Sequence, residues 1–251
     1  VPQNPYSRPR FVASPSVMQT ASRLQGGHGP RMAMPAKSRM RPAARKRCVV
    51  VKARATGDEV YRVLQGMKVL RSTDGAEVPL TEQWGPNERA LVAWTRSLGC
   101  PFCQELAIQM RRDYKPQLDA LGVKMLMVTI GTPERSKDFV ARTGFPAENL
   151  LLDPDNITYD ALGLTNDLAN TFFNPATPLS LLKRGMEGKT DDLMNVLDGW
   201  QPWMTPNGPQ QAMNQGGMFV FEGPKVLYSY YDKATADHAD LEEVLSLARS
   251  L

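Results

Sequence analysis

Beyond position 55 the apolar residues follow two alternating rhythms. Short, nearly unbroken runs of strand length stand at "RALVAWT" (89–95), "VKMLMVTI" (123–130) and "ENLLLD" (148–153). Runs of this length read as strands buried on both faces of a sheet. Between them the spacing changes. In "QELAIQMRRDYKPQLDAL" (104–121), Leu106, Ala107, Met110, Tyr114, Leu118 and Leu121 recur at three- and four-residue steps, the stripe of an amphipathic helix. Pro116 predicts a kink or division there, because it removes one backbone donor. "TPERSKDFVARTG" (132–144) offers Thr132 as N-cap, Pro133 at the first helical position and Gly144 as a stop. "NITYDALGL" (156–164) reads as a short helix with its own Gly stop.

The flanks are plainer. "YRVLQGMKVLRSTDGAEVPL" (61–80) reads as small strands and turns, broken at Gln65-Gly66 and Asp74-Gly75. Residues 165–198 are expected to be mainly helical, and the Pro-, Gln- and Gly-rich stretch 200–217 to be a loop. "GMFVFEG" and "KVLYSYYD" form a predicted hairpin across Glu222-Gly223-Pro224. "ADHADLEEVLSLARSL" (236–251) closes the chain as a helix, with Asp237 as cap and Asp240 in the acidic place of a capping box. Parallel strands joined by crossover helices and ended by an antiparallel hairpin imply an α/β fold. A mixed central sheet is flanked by helices, with a helical insertion before the C-terminal hairpin and helix.

Charge divides the chain in two. Of 30 Lys and Arg residues, 12 precede the first acidic residue, Asp58, leaving 18 basic against 26 acidic side chains in residues 56–251. The overall net charge of +4 therefore belongs to the N-terminal stretch, while the body is acidic. An acid-free segment rich in Arg, Ser, Pro, Ala and Met has the composition of an organelle transit peptide. Residues 1–55 are accordingly expected to be a disordered transit peptide, with "RKRCVVVKARA" resembling a plastid processing region and cleavage somewhere between Val51 and Thr56, and residues 56–251 a single domain. The chloroplast stroma is the expected destination and the mitochondrion the alternative. A basic arm that binds nucleic acid or lipid is the competing reading, but such arms usually serve a basic body. No apolar run approaches the ~20 residues that span a bilayer.

With Cys48 in the leader, the body keeps two cysteines, in "SLGCPFCQELAIQM" (97–110). A disulfide-stapled scaffold needs more. Zinc needs about four ligands, and beside the pair the body adds only His238, so neither metal nor cofactor is expected. Redox exchange and inert packing are left. Gly99 and Pro101 favour the first by placing the pair at a turn between a strand and its helix. There, Cys100 faces the unpaired N–H groups of a helix start, which favour a thiolate. Arg96 can add positive charge. Cys103, one turn further on, can reach back, so Cys100 is expected to attack and Cys103 to resolve. A C-x-x-C at this junction fits the thioredoxin-like plan. His238 reads foremost as a surface residue in the first turn of the last helix, with proton donation as the alternative. Trp200 and Trp203 are expected to cap the core or line a pocket over Cys100, and Asp232 and Thr235 to make local turn hydrogen bonds.

"LVAWTRSLGCPFCQELAIQM", with "STDGAEVPLTEQWG", "VTIGTPERSKDFVARTGF", "LLLDPDNITYDALGL", "QGGMFVFEG" and "YDKATADHADL", resembles the peroxiredoxin-like branch of the alkyl hydroperoxide reductase/thiol-specific antioxidant superfamily. That branch includes prostamide/prostaglandin F synthase-like proteins and plastid members. The resemblance covers about residues 60–249. It implies a thioredoxin fold and dithiol-dependent reduction of peroxides or other small oxidants, with thioredoxin or glutathione as electron donor. In the peroxiredoxin pattern P-x-x-x-T-x-x-C, the Thr place holds Ser97, whose hydroxyl can still donate a hydrogen bond, and the Pro place holds Ala93. Before the strand that faces the C-x-x-C, where thioredoxins carry a cis-proline, stand Asn214, Gln215, Gly216 and Gly217. A non-enzymatic accessory or interaction protein with a regulatory disulfide is the rival reading.

Overall fold

A computed structural model describes residues 54–164, 190–201, 214–233, 235 and 237–250. Helix α1 (Glu59–Leu64) precedes a hairpin of β1 (Lys68–Arg71) and β2 (Glu77–Pro79), and then come β3 (Arg89–Thr95) and α2 (Pro101–Gln109). A π turn over Met110–Tyr114 leads into α3 (Lys115–Ala120), followed by β4 (Val123–Thr129), α4 (Pro133–Thr143), β5 (Leu150–Leu152) and α5 (Ile157–Leu162). Helix α6 (Asp191–Leu197), β6 (Gly217–Glu222), β7 (Lys225–Tyr231) and α7 (Leu241–Ser250) complete the described elements.

The strands form one sheet in the order β2-β1-β5-β4-β3-β6-β7. β3 is parallel to β4, and β4 to β5, while β6 runs antiparallel to both β3 and β7. The order β4-β3-β6-β7, with α2 linking the parallel pair and α7 following the hairpin, is the thioredoxin-like arrangement. β5, β1 and β2 extend it on one side.

Strand periodicity sorts β3 between two cores. Ala90, Val92 and Trp94 face α1 and α5, joined by Leu126, Val128, Phe219 and Phe221. Leu91 and Ala93 face the other way, into a cluster with Leu106, Met110, Leu118, Phe139, Val244 and Leu245 from α2 to α4 and α7. The sheet is therefore covered on both faces, as its apolar runs predict. Tyr159 anchors the first layer, its hydroxyl donating to the carbonyl oxygens of Thr95 and Val128.

Several local expectations change. Residues 59–64 are helical because Val60 and Leu64, one turn apart, are both buried; a reading that starts at Tyr61 cuts this stripe in half. Pro116 does divide its helix: the backbone passes through the π turn and resumes with Pro116 in the first turn of α3, where its missing donor leaves no gap. The last helix starts at Leu241, and its cap is Asp240, whose carboxylate accepts the Glu242 N–H at 2.9 Å and the Glu243 N–H at 3.4 Å. Asp237 instead accepts the Tyr230 hydroxyl at 3.0 Å and the Lys233 N–H at 2.9 Å. Of the predicted helical stretch 165–198, residues 191–197 are helix; residues 165–189, Trp203 and the leader through residue 53 lie outside the described residues.

Candidate active site

β3 ends at Thr95, and after five intervening residues α2 begins at Pro101. Cys100 takes the cap position in an extended conformation, with Pro101 as the first helical residue and the Gln104 N–H on the Cys100 carbonyl at 3.0 Å. The turn is fastened on both sides. The Cys100 N–H donates to the Ser97 carbonyl at 3.2 Å and the Leu98 N–H to the Ile130 carbonyl at 3.2 Å. The Gln104 side chain donates to the Leu98 carbonyl at 2.9 Å, and Trp200 Nε1 donates to the Gly99 carbonyl at 2.7 Å. Arg142 holds Gln104 Oε1 at 3.1 Å and the Val196 carbonyl at 2.7 Å, joining α4 and α6 to this turn. Trp200 thus borders the cysteine turn itself.

Both thiols are free and buried, Cys100 with 6% of its surface exposed and Cys103 with none. Their environments push them apart. Hydrogen bonding from the Cys103 side chain lowers Cys100 most. Burial opposes this, but Arg96, the Cys103 backbone N–H and His238 pull the same way as the first cause, bringing Cys100 to about 6. Burial pushes Cys103 well above the ordinary thiol range, and its hydrogen bond and negative charge from Cys100 add to that. One sulfur is poised as thiolate and the other as its thiol donor.

Arg96 is half-buried. Its Nε donates to the Asn214 carbonyl at 3.1 Å and its guanidinium to Thr235 Oγ1 at 3.1 Å. Thr235 thus takes a partner from across the sheet, because the Arg96 side chain ends where the segment after β7 returns. Asp232 also departs from a turn role. It is 2% exposed, and its Oδ2 lies 3.0 Å from His238 Nδ1. Ser97 is buried; its carbonyl holds the Cys100 N–H, and its N–H favours a Cys103 thiolate. Ala93 is buried in mid-strand between Met127 and Met218.

His238 is not a surface residue. It precedes α7, and its side chain is 17% exposed. Burial works against its charge, yet Asp232, with Cys100 and Glu105 behind it, raises its pKa above the ordinary value. Burial raises Asp232 too, and His238 opposes that. Only its being the body's lone histidine pointed to His238; nothing in sequence spacing pairs it with Asp232. Gly216 permits the pairing's location: a Cβ there would sit 2.5 Å from the Trp94 carbonyl oxygen and 2.6 Å from Asp232 Oδ2. Among the described residues no group of three or more His, Cys, Asp or Glu side chains has the arrangement of a metal site, and no helix is long and apolar enough to cross a membrane.

The chain is 28% identical over 221 residues to the thioredoxin-like protein AAED1, chloroplastic, of Arabidopsis thaliana, covering 83% of this chain and 84% of that one. Peroxidoxin BcpB from Mycobacterium tuberculosis superposes with a TM-score of 0.49 at 13% identity, covering 74% of this chain and 92% of that one. Peroxiredoxin Q from Xanthomonas campestris gives 0.47 at 14% identity, with 75% and 93% covered. The family model of the AhpC/TSA antioxidant enzymes matches residues 109–234, a stretch that starts after Cys103 and takes in Asp232. With half of its length matched, the chain belongs to the AhpC/TSA antioxidant enzyme family.

Proposed function

We propose that this protein is a thiol-dependent oxidoreductase that reduces hydroperoxides with the Cys100–Cys103 pair. The Cys100 thiolate attacks the terminal peroxide oxygen. The O–O bond breaks, an S–O bond forms, and the departing oxygen takes up a proton to leave as alcohol or water. Cys103 then displaces water from the Cys100 sulfenic acid, forming an internal disulfide. A dithiol of the thioredoxin type, or two molecules of glutathione, returns two electrons and two protons. Arg96 supports the thiolate, and Ser97 fixes the turn. The observation that carries this reading is the placement of two free thiols one helical turn apart at a helix start, where their surroundings lower Cys100 and raise Cys103. Family membership supports the redox role.

The test is stopped-flow oxidation of the reduced protein by hydrogen peroxide and by a lipid hydroperoxide. Oxidation far faster than that of a free thiol, and a trapped mixed disulfide with the donor in Cys103→Ser, are expected. Burial of both sulfurs favours a second reading, an interaction protein whose disulfide is a slow regulatory latch. In that case peroxide leaves the protein untouched while a disulfide oxidant closes the pair.

Residues 1–55 are proposed to direct the chain to plastids, in keeping with the leader composition and with the description of the Arabidopsis relative as chloroplastic. Import into isolated chloroplasts followed by N-terminal mapping tests this; a chain that stays outside, unprocessed, overturns it.

A further inference from the structure

The reduction just described needs a proton for the departing oxygen, and Cys103, buried and needed for resolution, is a poor source for it. We infer that His238, anchored on Asp232, is the general acid that delivers this proton, with Asp232 as its positioning residue. The inference rests on the thiol-peroxidase reading of Cys100. Three observations carry it. His238 Nδ1 is taken by Asp232 Oδ2 at 3.0 Å, which turns the opposite ring nitrogen away from that carboxylate. That nitrogen, Nε2, is buried and has no hydrogen-bond partner among the described residues, a costly arrangement for a polar atom with only a packing role. Finally, the segment that carries Asp232 and His238 is tied to the strand ends beside the cysteine turn, by the Asp232 N–H on the Gly216 carbonyl at 3.1 Å and by Arg96 on Thr235 Oγ1 at 3.1 Å, and the charges of the imidazole and the Cys100 thiolate favour one another.

The groups that act on the imidazole come from two sides: Asp232 on the segment after β7, and Cys100 and Glu105 at the cap and in the first turns of α2. Asp237 and Arg96 act in turn on Asp232. Asp237 is engaged by Tyr230 and Lys233, and Arg96 by Asn214 and Thr235, which leaves Asp232 as the carboxylate in direct contact with His238. In the step proposed, Cys100 sulfur loses two electrons to the peroxide, the O–O bond breaks, and Nε2–H passes its proton to the leaving oxygen. The neutral imidazole then recovers a proton from solvent, while the Cys103 thiol proton leaves with the sulfenic hydroxyl as water.

Two reactions of Cys100 separate a proton donor from a structural residue. Alkylation by iodoacetamide expels iodide and needs no acid; oxidation by hydrogen peroxide or tert-butyl hydroperoxide does. In His238→Gln, oxidation is expected to slow about 100-fold at neutral pH, more for the alkyl hydroperoxide, whose leaving group is the more basic. The alkaline fall in oxidation rate, where wild type loses the imidazolium, disappears. Alkylation at pH 8, where Cys100 is ionised in both proteins, stays within about threefold, which also shows that the variant is folded. Asp232→Asn keeps the alkaline fall but moves it to lower pH. If His238→Gln oxidises at the wild-type rate with an unchanged pH profile, the inference is overturned and the peroxidase reading stands. If wild type oxidises no faster than a free thiol while alkylating normally, the peroxidase reading falls and this inference falls with it.

Discussion

The Arg96 guanidinium lies 3.1 Å from Thr235 Oγ1 and, through Nε, 3.1 Å from the Asn214 carbonyl. A residue at the end of β3 thus binds both the entry to β6 and the exit from β7. The charge of the same cation favours the Cys100 thiolate, so it bears on geometry and ionisation together.

The pH dependence of Cys100 follows directly. Its thiolate forms as pH rises through about 6 and is lost below that. Cys103→Ala removes the strongest of the lowering influences, the thiol hydrogen bond, and moves the midpoint up toward the ordinary value of about 8.5. Arg96→Met moves it in the same direction by less. Both variants lose reactivity near neutral pH and regain it in alkali. Initial rates of iodoacetamide labelling against pH measure this; an unmoved midpoint in Cys103→Ala contradicts the assignment.

Gly216→Ala places a methyl group against the Trp94 carbonyl and the Asp232 carboxylate. It is expected to cost about 1–3 kcal/mol of stability and to shift the Cys100 labelling midpoint by displacing Asp232. Gly223→Ala is the control. With φ at +51° and its Cβ 1.9 Å from the Pro86 carbonyl oxygen, it destabilises the β6–β7 turn far from the thiols and leaves the midpoint alone. Urea unfolding and labelling, run on both, separate the two effects.

Trp200 donates to Gly99, the residue just before Cys100. Closing a disulfide at Cys100 must shift this turn. Trp200→Phe is therefore expected to abolish most of the fluorescence difference between oxidised and reduced protein, while costing about 0.5–1.5 kcal/mol through the lost hydrogen bond. A redox-linked signal that survives intact in the variant places the reporter elsewhere.

Ala55 is packed into the domain. It is buried, its carbonyl accepts the Tyr231 hydroxyl at 2.5 Å, and Arg54 lies over the Tyr231 ring, 5.0 Å from its centroid. Removal of the leader is expected to stop at or before Arg54, at the early end of the range the sequence allows. A chain starting at Asp58 is expected to be less stable than one starting at Arg54 by about 1–2 kcal/mol, measured by chemical denaturation. Equal stability of the two would leave the exact cleavage site free.

What could be read from the sequence was what local chemistry encodes. β3, β4 and β5 announce themselves because both faces of each are covered, so the apolar run is unbroken. Thr132, Pro133 and Gly144 mark α4 from its own termini, and the turn residues around Cys100 and Cys103 mark their junction. Contacts closed by the fold were not legible. Asp232 and Thr235 look like turn residues because their partners, His238 and Arg96, are selected by how the last hairpin docks. His238 looks like a surface histidine because its neighbours in sequence, Asp237 and Asp240, are acidic and polar; its burial comes from the other side of the molecule. Asp237 and Asp240 are interchangeable as helix caps by composition, and only the Tyr230 hydroxyl and Lys233 N–H, which claim Asp237, decide between them.

Asn214 and Thr235, which hold Arg96, and His238, which acts on Cys100, all enter the chain after residue 213. A growing polypeptide that has completed β3 and α2 but not the final hairpin already holds Cys103 against Cys100, yet lacks the imidazole that adds to the thiolate and the two groups that anchor Arg96. Full assembly of the reacting centre thus waits for the C-terminal segment to dock.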